Sequence, residues 1–209
     1  RYQFNEKLAS FVNYTTHFET PTLYEIGNSS ELNPQHSVVG EIGFISESDR
    51  SEYSEIVLFK SKTTSEIIPF EMENEPGRSY FKNAGSTARE GLELSLRKNI
   101  TQKSNLQFIH TFTNYRFFNF NSNGNVLNGN YLPAIPRYFG KLNFLNELNR
   151  NTEFDLEIYY AGKVFLDDNN TSSTSNYMLA SLNVKRKLIF FDRHATIFCY
   201  IENIFNTPY

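Results

Sequence analysis

Hydrophobic and polar positions alternate along most of this chain, and the clearest run is Gly91-Leu92-Glu93-Leu94-Ser95-Leu96-Arg97. Leu92, Leu94 and Leu96 fall on one side, while Glu93, Ser95 and Arg97 fall on the other. That is the pattern of a β-strand with one apolar and one wet face. The same period recurs at Val38, Gly40, Ile42 and Phe44, at Phe154, Leu156, Ile158 and Tyr160, and at Met178, Ala180, Leu182 and Val184. Period and turn residues together predict about nine strands, over 8–16, 37–46, 52–64, 80–98, 104–118, 137–148, 152–162, 176–187 and 194–203. Residues 1–4 read as the end of one more strand, and no segment carries a helical period.

The connections alternate in length. Short polar turns fall at 5–7, 47–51, 99–103, 149–151 and near 191–193, and long connections at 18–36, 65–79, 119–135 and 166–175. Short, long, short, long is the rhythm of an antiparallel up-and-down meander with tight turns at one end and long loops at the other. In bacterial outer-membrane barrels the short turns are periplasmic and the long loops extracellular. Tyr14, Phe18, Tyr80, Phe81, Tyr115, Phe118, Tyr138, Phe139, Tyr159 and Tyr160 cluster near strand ends, as interfacial aromatic girdles do.

Composition sharpens this picture only in part. Of 209 residues, 39% are hydrophobic and 16% aromatic. With a mean hydropathy of −0.48 and no apolar run of the roughly 18–20 residues a spanning helix needs, bulk hydropathy describes a soluble chain. Transmembrane strands average out to such values, because lipid-facing and lumen-facing residues alternate. A net charge of −3 argues against a nucleic-acid partner. The single cysteine, Cys199, excludes an internal disulfide and reads as a buried thiol in an apolar context.

Several short motifs resemble the barrel of TonB-dependent receptors. Phe18-Glu19-Thr20-Pro21-Thr22-Leu23-Tyr24-Glu25, then Leu32-Asn33-Pro34-Gln35 and Glu41-Ile42-Gly43, resembles that family's loop-and-strand sequence, with Gln35 where the family usually has Glu. Asn83-Ala84-Gly85 followed by Glu90-Gly91-Leu92-Glu93-Leu94 resembles a second family pattern, and Leu132-Pro133-Ala134-Ile135-Pro136-Arg137 a third. Glu202-Asn203-Ile204-Phe205-Asn206 with Tyr209 resembles the segment before the family's last strand. The four occur in the family's order and cover essentially the whole chain.

The resemblance implies an all-β fold: an antiparallel transmembrane β-barrel of about 22 strands. Residues 1–209 would form one domain, matching roughly strands 13 to 21 without plug or final strand. It implies a receptor in the outer membrane of a Gram-negative bacterium, taking up a scarce solute such as an iron chelate, vitamin or glycan. Its implied partners are outer-membrane lipid, the rest of its own barrel with a plug domain, and the periplasmic energy-transducing protein TonB. A surface lipoprotein is a further partner class the resemblance allows. No cofactor is expected.

Under that reading Glu41, Glu93, Arg97, Lys141, Glu153, Asp155 and Glu157 line the lumen. Arg78, Tyr80, Phe118, Phe120 and Tyr131 lie on the side where the family catches its ligand, and aromatic side chains with an occasional Arg are apt contacts for a large solute. No catalytic or metal site is expected. His17, His36, His110 and His194 lack partners at metal-ligand spacing, and only His17 or His110 stands as a formal candidate for a barrel hydrolase. The acidic run Glu66, Glu71, Glu73 and Glu75 reads as a solvated surface rather than a cation site. The competing readings are a passive porin-like barrel and a soluble all-β binding module.

Overall fold

Nine long antiparallel strands dominate the chain in a computed structural model that describes residues 1–208 apart from 30, 50, 51, 73, 84, 123, 124 and 192. In chain order the elements are β1 (Tyr2–Gln3), β2 (Leu8–Glu19), α1 (Leu23–Gly27), β3 (Gln35–Asp49), β4 (Glu52–Thr64), β5 (Ile67–Met72) and β6 (Glu75–Asn83). They continue with β7 (Ser86–Thr101), β8 (Ser104–Phe118), β9 (Asn121–Ser122), β10 (Asn125–Val126), β11 (Tyr138–Asn149), β12 (Thr152–Ala161), β13 (Tyr177–Phe190) and β14 (Arg193–Ile201). One sheet carries the order β1-β2-β3-β4-β7-β8-β11-β12-β13-β14, so every neighbour in space is also the next wall strand in sequence. The up-and-down meander and its alternating connections are therefore as the sequence pattern predicts.

Directly paired residues share a sheet face, so the register carries the face of Leu92 across the wall. Val12–Ile42–Leu58–Leu92–Phe112–Tyr138 forms one lateral row. Phe44–Ile56–Leu94–His110–Gly140–Tyr160–Met178 forms the next. Leu96–Phe108–Leu142–Ile158–Ala180 and Leu106–Phe144–Leu156–Leu182–Ile201 continue the band toward the short turns. Much of it is open to the surroundings, with Val12, Ile42, Phe44, Ile56 and Leu58 all exposed. On this face Gly140 lies beneath its partner Tyr160, whose ring occupies the space a Cβ would need. Tyr160 in turn holds His110 by a hydroxyl–Nδ1 hydrogen bond and a stacked ring, which satisfies the imidazole inside an otherwise apolar band.

The structure departs from the sequence reading at the loop end. The strand expected over 80–98 is two strands: β6 pairs with β5 as a separate hairpin, and β7 joins the wall. Gly85 sits at the break because a Cβ there would lie 1.8 Å from the Asn119 carbonyl oxygen; Ala84 lies outside the described residues. The connection expected over 65–79 thus contains regular structure. A five-residue helix, α1, also appears where no helical period is visible. Its cause is local: Thr22 and Glu25 form a capping box, each side chain accepting from the other's backbone N–H. At the opposite end, β7 runs on to Thr101 and leaves only Gln102 and Lys103 to turn.

The wall is too thin to bury much, and among the described residues the one packed cluster of buried side chains lies among the loops. Phe117, Phe120, Leu127 and Leu132 form it, with Ile68, Tyr115 and Ile135 against its sides. Cys199 is exposed, against expectation. It belongs to β14, the last strand of the sheet, whose outer edge no strand of this chain covers among the described residues.

Candidate functional site

Four long connections, 20–34, 65–85, 119–137 and 162–176, emerge at one end of the wall and are tied in two pairs by polar side chains. Asn83 accepts the Asn33 N–H at 2.7 Å and donates to the Asn33 and Ser65 carbonyls at 2.8 and 2.6 Å. Ser29 accepts the Phe81 N–H at 2.9 Å. Gln35 donates to Glu19 at 2.6 Å and accepts the Ile67 N–H at 3.1 Å. An amide suits that position, because a second carboxylate would face Glu19 with like charge.

The other pair of loops is joined through Asn170. Its side chain accepts the Tyr131 N–H at 2.7 Å and donates to the Tyr131 carbonyl at 2.9 Å. Asn170 has a φ of +58°, a region where Asn is among the more tolerant residues. Asp167 shapes the same loop by accepting the Thr171 and Ser172 N–H groups at 3.1 and 2.6 Å. Those two amides hold its carboxyl below the ordinary carboxylate range, whereas burial raises that of neighbouring Asp168.

The sequence-derived contact residues fall into different environments. Arg78 and Tyr80 lie on β6 and line a cleft of about 460 Å³ between the hairpin and the 20–34 connection, together with Ser29, Met72 and Lys82. Both reach Glu75: Arg78 by an ion pair of 3.2 Å, and Tyr80 by a hydroxyl hydrogen bond that raises its pKa. Phe118 is 45% exposed and meets the Lys62 ammonium at 4.8 Å from its ring centre. Phe120 is 2% exposed, so its ring holds the loop cluster together and offers no surface to a solute. Tyr131 is half-buried, with the Arg116 and Arg137 guanidiniums 3.8 and 4.8 Å from its ring centre and Phe165 stacked at 5.7 Å. Alternation alone could not separate buried from open aromatics within an irregular loop.

The acidic run is also partly engaged. Glu66 pairs with Arg89 and accepts from the Thr87 hydroxyl, while Glu75 is taken by Arg78 and Tyr80. Glu73 and the side chain of Glu71 lie outside the described residues. Sequence reasoning did not single out Arg89, Arg116 or Asn170, although Arg116, close after Thr113 and Tyr115 at a strand end, is a visible signal.

Glu41, Glu93, Arg97, Lys141, Glu153, Asp155 and Glu157 all stand on the face opposite Leu92 and Leu94. Most engage one another or their neighbours: Lys141–Glu157 at 2.7 Å, Lys185–Glu153 at 2.9 Å, Asn143 to Asp155 at 2.5 Å and Asn13 to Glu41 at 3.2 Å. Of the two histidines considered for catalysis, His110 is on the apolar face and His17 is paired with Ser37 on the other, so the wall separates them.

The arrangement of wall and loops has close counterparts. The ferrioxamine receptor of Yersinia enterocolitica is 25% identical over 191 residues, covering 90% of this chain and 25% of that protein. The ferric preacinetobactin receptor BauA of Acinetobacter baumannii superposes with a TM-score of 0.74 at 16% identity, over 98% of this chain and 31% of the receptor. The ferric yersiniabactin uptake receptor FyuA of Yersinia pestis gives 0.73 at 15%, over 98% and 31%. The chain thus spans about a quarter of the curated relative and about a third of these solved receptors. The family described as "TonB dependent receptor-like, beta-barrel", whose members are outer-membrane transporters and not enzymes, matches residues 1–204. With that match over nearly its full length, the chain belongs to the TonB-dependent receptor β-barrel family.

Proposed function

We propose that this chain forms part of the wall and outer loops of a receptor that imports an iron chelate across the outer membrane, driven by TonB. The observation that carries the reading is the division of the wall into two register-aligned faces. The band through Leu92 and Leu94 faces lipid, and the face bearing Glu41, Glu93, Arg97, Lys141, Glu153, Asp155 and Glu157 lines the lumen. Charges on a lipid face cost about 2–4 kcal/mol each near the midplane, and the rows through Leu92, Leu94 and Leu96 carry no Asp, Glu, Lys or Arg among the described residues, which fits lipid on that face and a water-filled interior with a plug on the other.

The linked loops form the capture surface, with Arg78 and Tyr80 at the cleft beside the β5–β6 hairpin. Iron chelates are the favoured cargo because the relatives with 25%, 16% and 15% identity are named as ferric siderophore receptors. Uptake of ⁵⁵Fe-ferrioxamine and of ⁵⁵Fe-enterobactin by cells with and without the full-length receptor tests this. Receptor-dependent accumulation of at least one chelate, abolished by a protonophore, is expected. Accumulation that persists after the protonophore would identify a passive channel instead.

A further inference from the structure

We infer that the cleft beside the β5–β6 hairpin selects iron chelates without net negative charge, of the hydroxamate type, and that Glu75 enforces this choice by holding Arg78. This rests on the reading of the chain as part of an iron-chelate receptor. The cleft, of about 460 Å³, has neutral walls at Asn28, Met72, Tyr80 and Phe81. Among the described residues its charged side chains are Glu31, Arg78 and Lys82.

Both cations already face carboxylates of this chain. Glu75 opens β6 and lies across the hairpin from Met72, and its carboxylate meets the Arg78 guanidinium at 3.2 Å. The same carboxylate accepts from the Tyr80 hydroxyl, while the guanidinium lies 5.0 Å from the Tyr80 ring centre. One carboxylate thus engages the cleft's guanidinium and its phenol together. Lys82 lies in the field of the Asp168 carboxylate, and Glu31 adds an exposed negative charge of its own. The balance has the same sign over the whole loop end: the connections 20–34, 65–85, 119–137 and 162–176 carry eight acidic and four basic residues.

Coordination chemistry turns this balance into a choice of ligand. Catecholate donors are dianions and hydroxamate donors monoanions. Iron(III) in a hexadentate catecholate shell therefore stays strongly anionic, whereas a hexadentate hydroxamate shell leaves it uncharged. An anionic complex approaching loops of negative potential is repelled and meets them less often. An uncharged one meets no such opposition, and the cleft offers it two rings, a thioether and an amide. A cleft built for an anion would leave its guanidinium open to an oxygen of the ligand; here Glu75 already fills that position.

Equilibrium binding of ⁵⁵Fe-ferrioxamine, a hydroxamate, and ⁵⁵Fe-enterobactin, a catecholate, to the full-length receptor in detergent provides the test, at low and at high salt. The parental receptor should bind ferrioxamine the more tightly, and its binding of enterobactin should strengthen as salt screens the repulsion. Glu75→Gln, which releases Arg78 and keeps the side chain's size, should raise the ratio of enterobactin to ferrioxamine affinity by about tenfold, because it removes a like charge beside an anionic ligand. Glu31→Gln, outside the hairpin, should move the ratio in the same direction. Tighter enterobactin binding by the parental receptor, or an unmoved ratio in either folded variant, overturns the inference and leaves chelate uptake standing. Binding of neither chelate would overturn the proposed function, and the inference with it.

Discussion

Leu94 lies directly across from Ile56 on one side and His110 on the other, while its neighbour Ser95 lies between Glu55 and Ile109 on the opposite face. Both positions fall near the middle of β7. If the leucine face meets lipid, Leu94→Arg should disfavour insertion of the full-length barrel by about 2–4 kcal/mol, and Ser95→Arg should be mild. Heat-modifiable mobility of membrane-extracted receptor reads folded fraction directly. Equal tolerance of both substitutions would remove the lipid-facing assignment.

Gly85 approaches the 119–137 connection so closely that Gly85→Ala would place Cβ 1.8 Å from the Asn119 oxygen and 2.7 Å from its carbonyl carbon. Backbone cannot rotate away as a side chain can, so the cost should resemble overpacking, about 1–3 kcal/mol. The effect should be confined to the junction of the two loops. Limited proteolysis of the parent and the variant should show faster cleavage within 65–85 and 119–137, with wall fragments unchanged.

The wall was legible because its period of two survives in the strands: Leu92, Leu94 and Leu96, and Phe154, Leu156 and Ile158, each mark a face without help from tertiary contacts. Seven charged residues read as inward from alternation share one face for the same reason. The loops were legible only where a local rule acts. Thr22 and Glu25 three apart spell a capping box, yet one turn of helix has no periodicity to detect. The pins made by Asn83 to Asn33 and Asn170 to Tyr131 join residues 50 and 39 apart in sequence. No window of local pattern can see such pairs, and for this reason Phe120 and Phe118 looked alike although one is buried.

That contrast can be measured. Phe120 sits 2% exposed in the loop cluster and Phe118 45% exposed on the strand end. Phe120→Ala should destabilise the loop cluster by about 3–5 kcal/mol, the usual cost of emptying a buried aromatic site. Phe118→Ala should remain within about 0.5 kcal/mol. Urea unfolding of the full-length receptor in lipid vesicles, followed through protection of the 119–137 backbone, separates the two. A loss of chelate binding by Phe118→Ala without loss of protection would mark that ring as a contact.

Arg89 and Glu66 bind the β5–β6 region to the wall, with Thr63 accepting from the same guanidinium at 2.9 Å. Their side chains are 27% and 17% exposed, so solvent screens the pair only in part. A double-mutant cycle with Arg89→Met and Glu66→Leu should give a coupling of about 1–3 kcal/mol, since breaking one partner leaves a charge poorly solvated. Additive effects would show that the hairpin is held by other contacts.

The pH response of the 162–176 loop should carry two opposite signs. Asp167, held below its ordinary range by the Thr171 and Ser172 amides, supports the folded loop above its unfolded pKa. That support is lost as pH falls through the folded value, and the two amides should then lose hydrogen-exchange protection. Asp168 behaves inversely: burial raises its pKa, so the folded loop takes up its proton more readily than the unfolded chain. Its contribution favours folding at low pH and declines as pH rises through the raised value. Asp167→Asn, whose side-chain carbonyl accepts more weakly, should lower protection of Thr171 and Ser172 at neutral pH and flatten its acid loss. Asp168→Asn should raise protection of the Asn130 amide side, where the Asp168 carbonyl accepts at 2.9 Å, most at neutral pH. Unchanged exchange profiles in both variants would mean that the loop is held without help from either carboxylate.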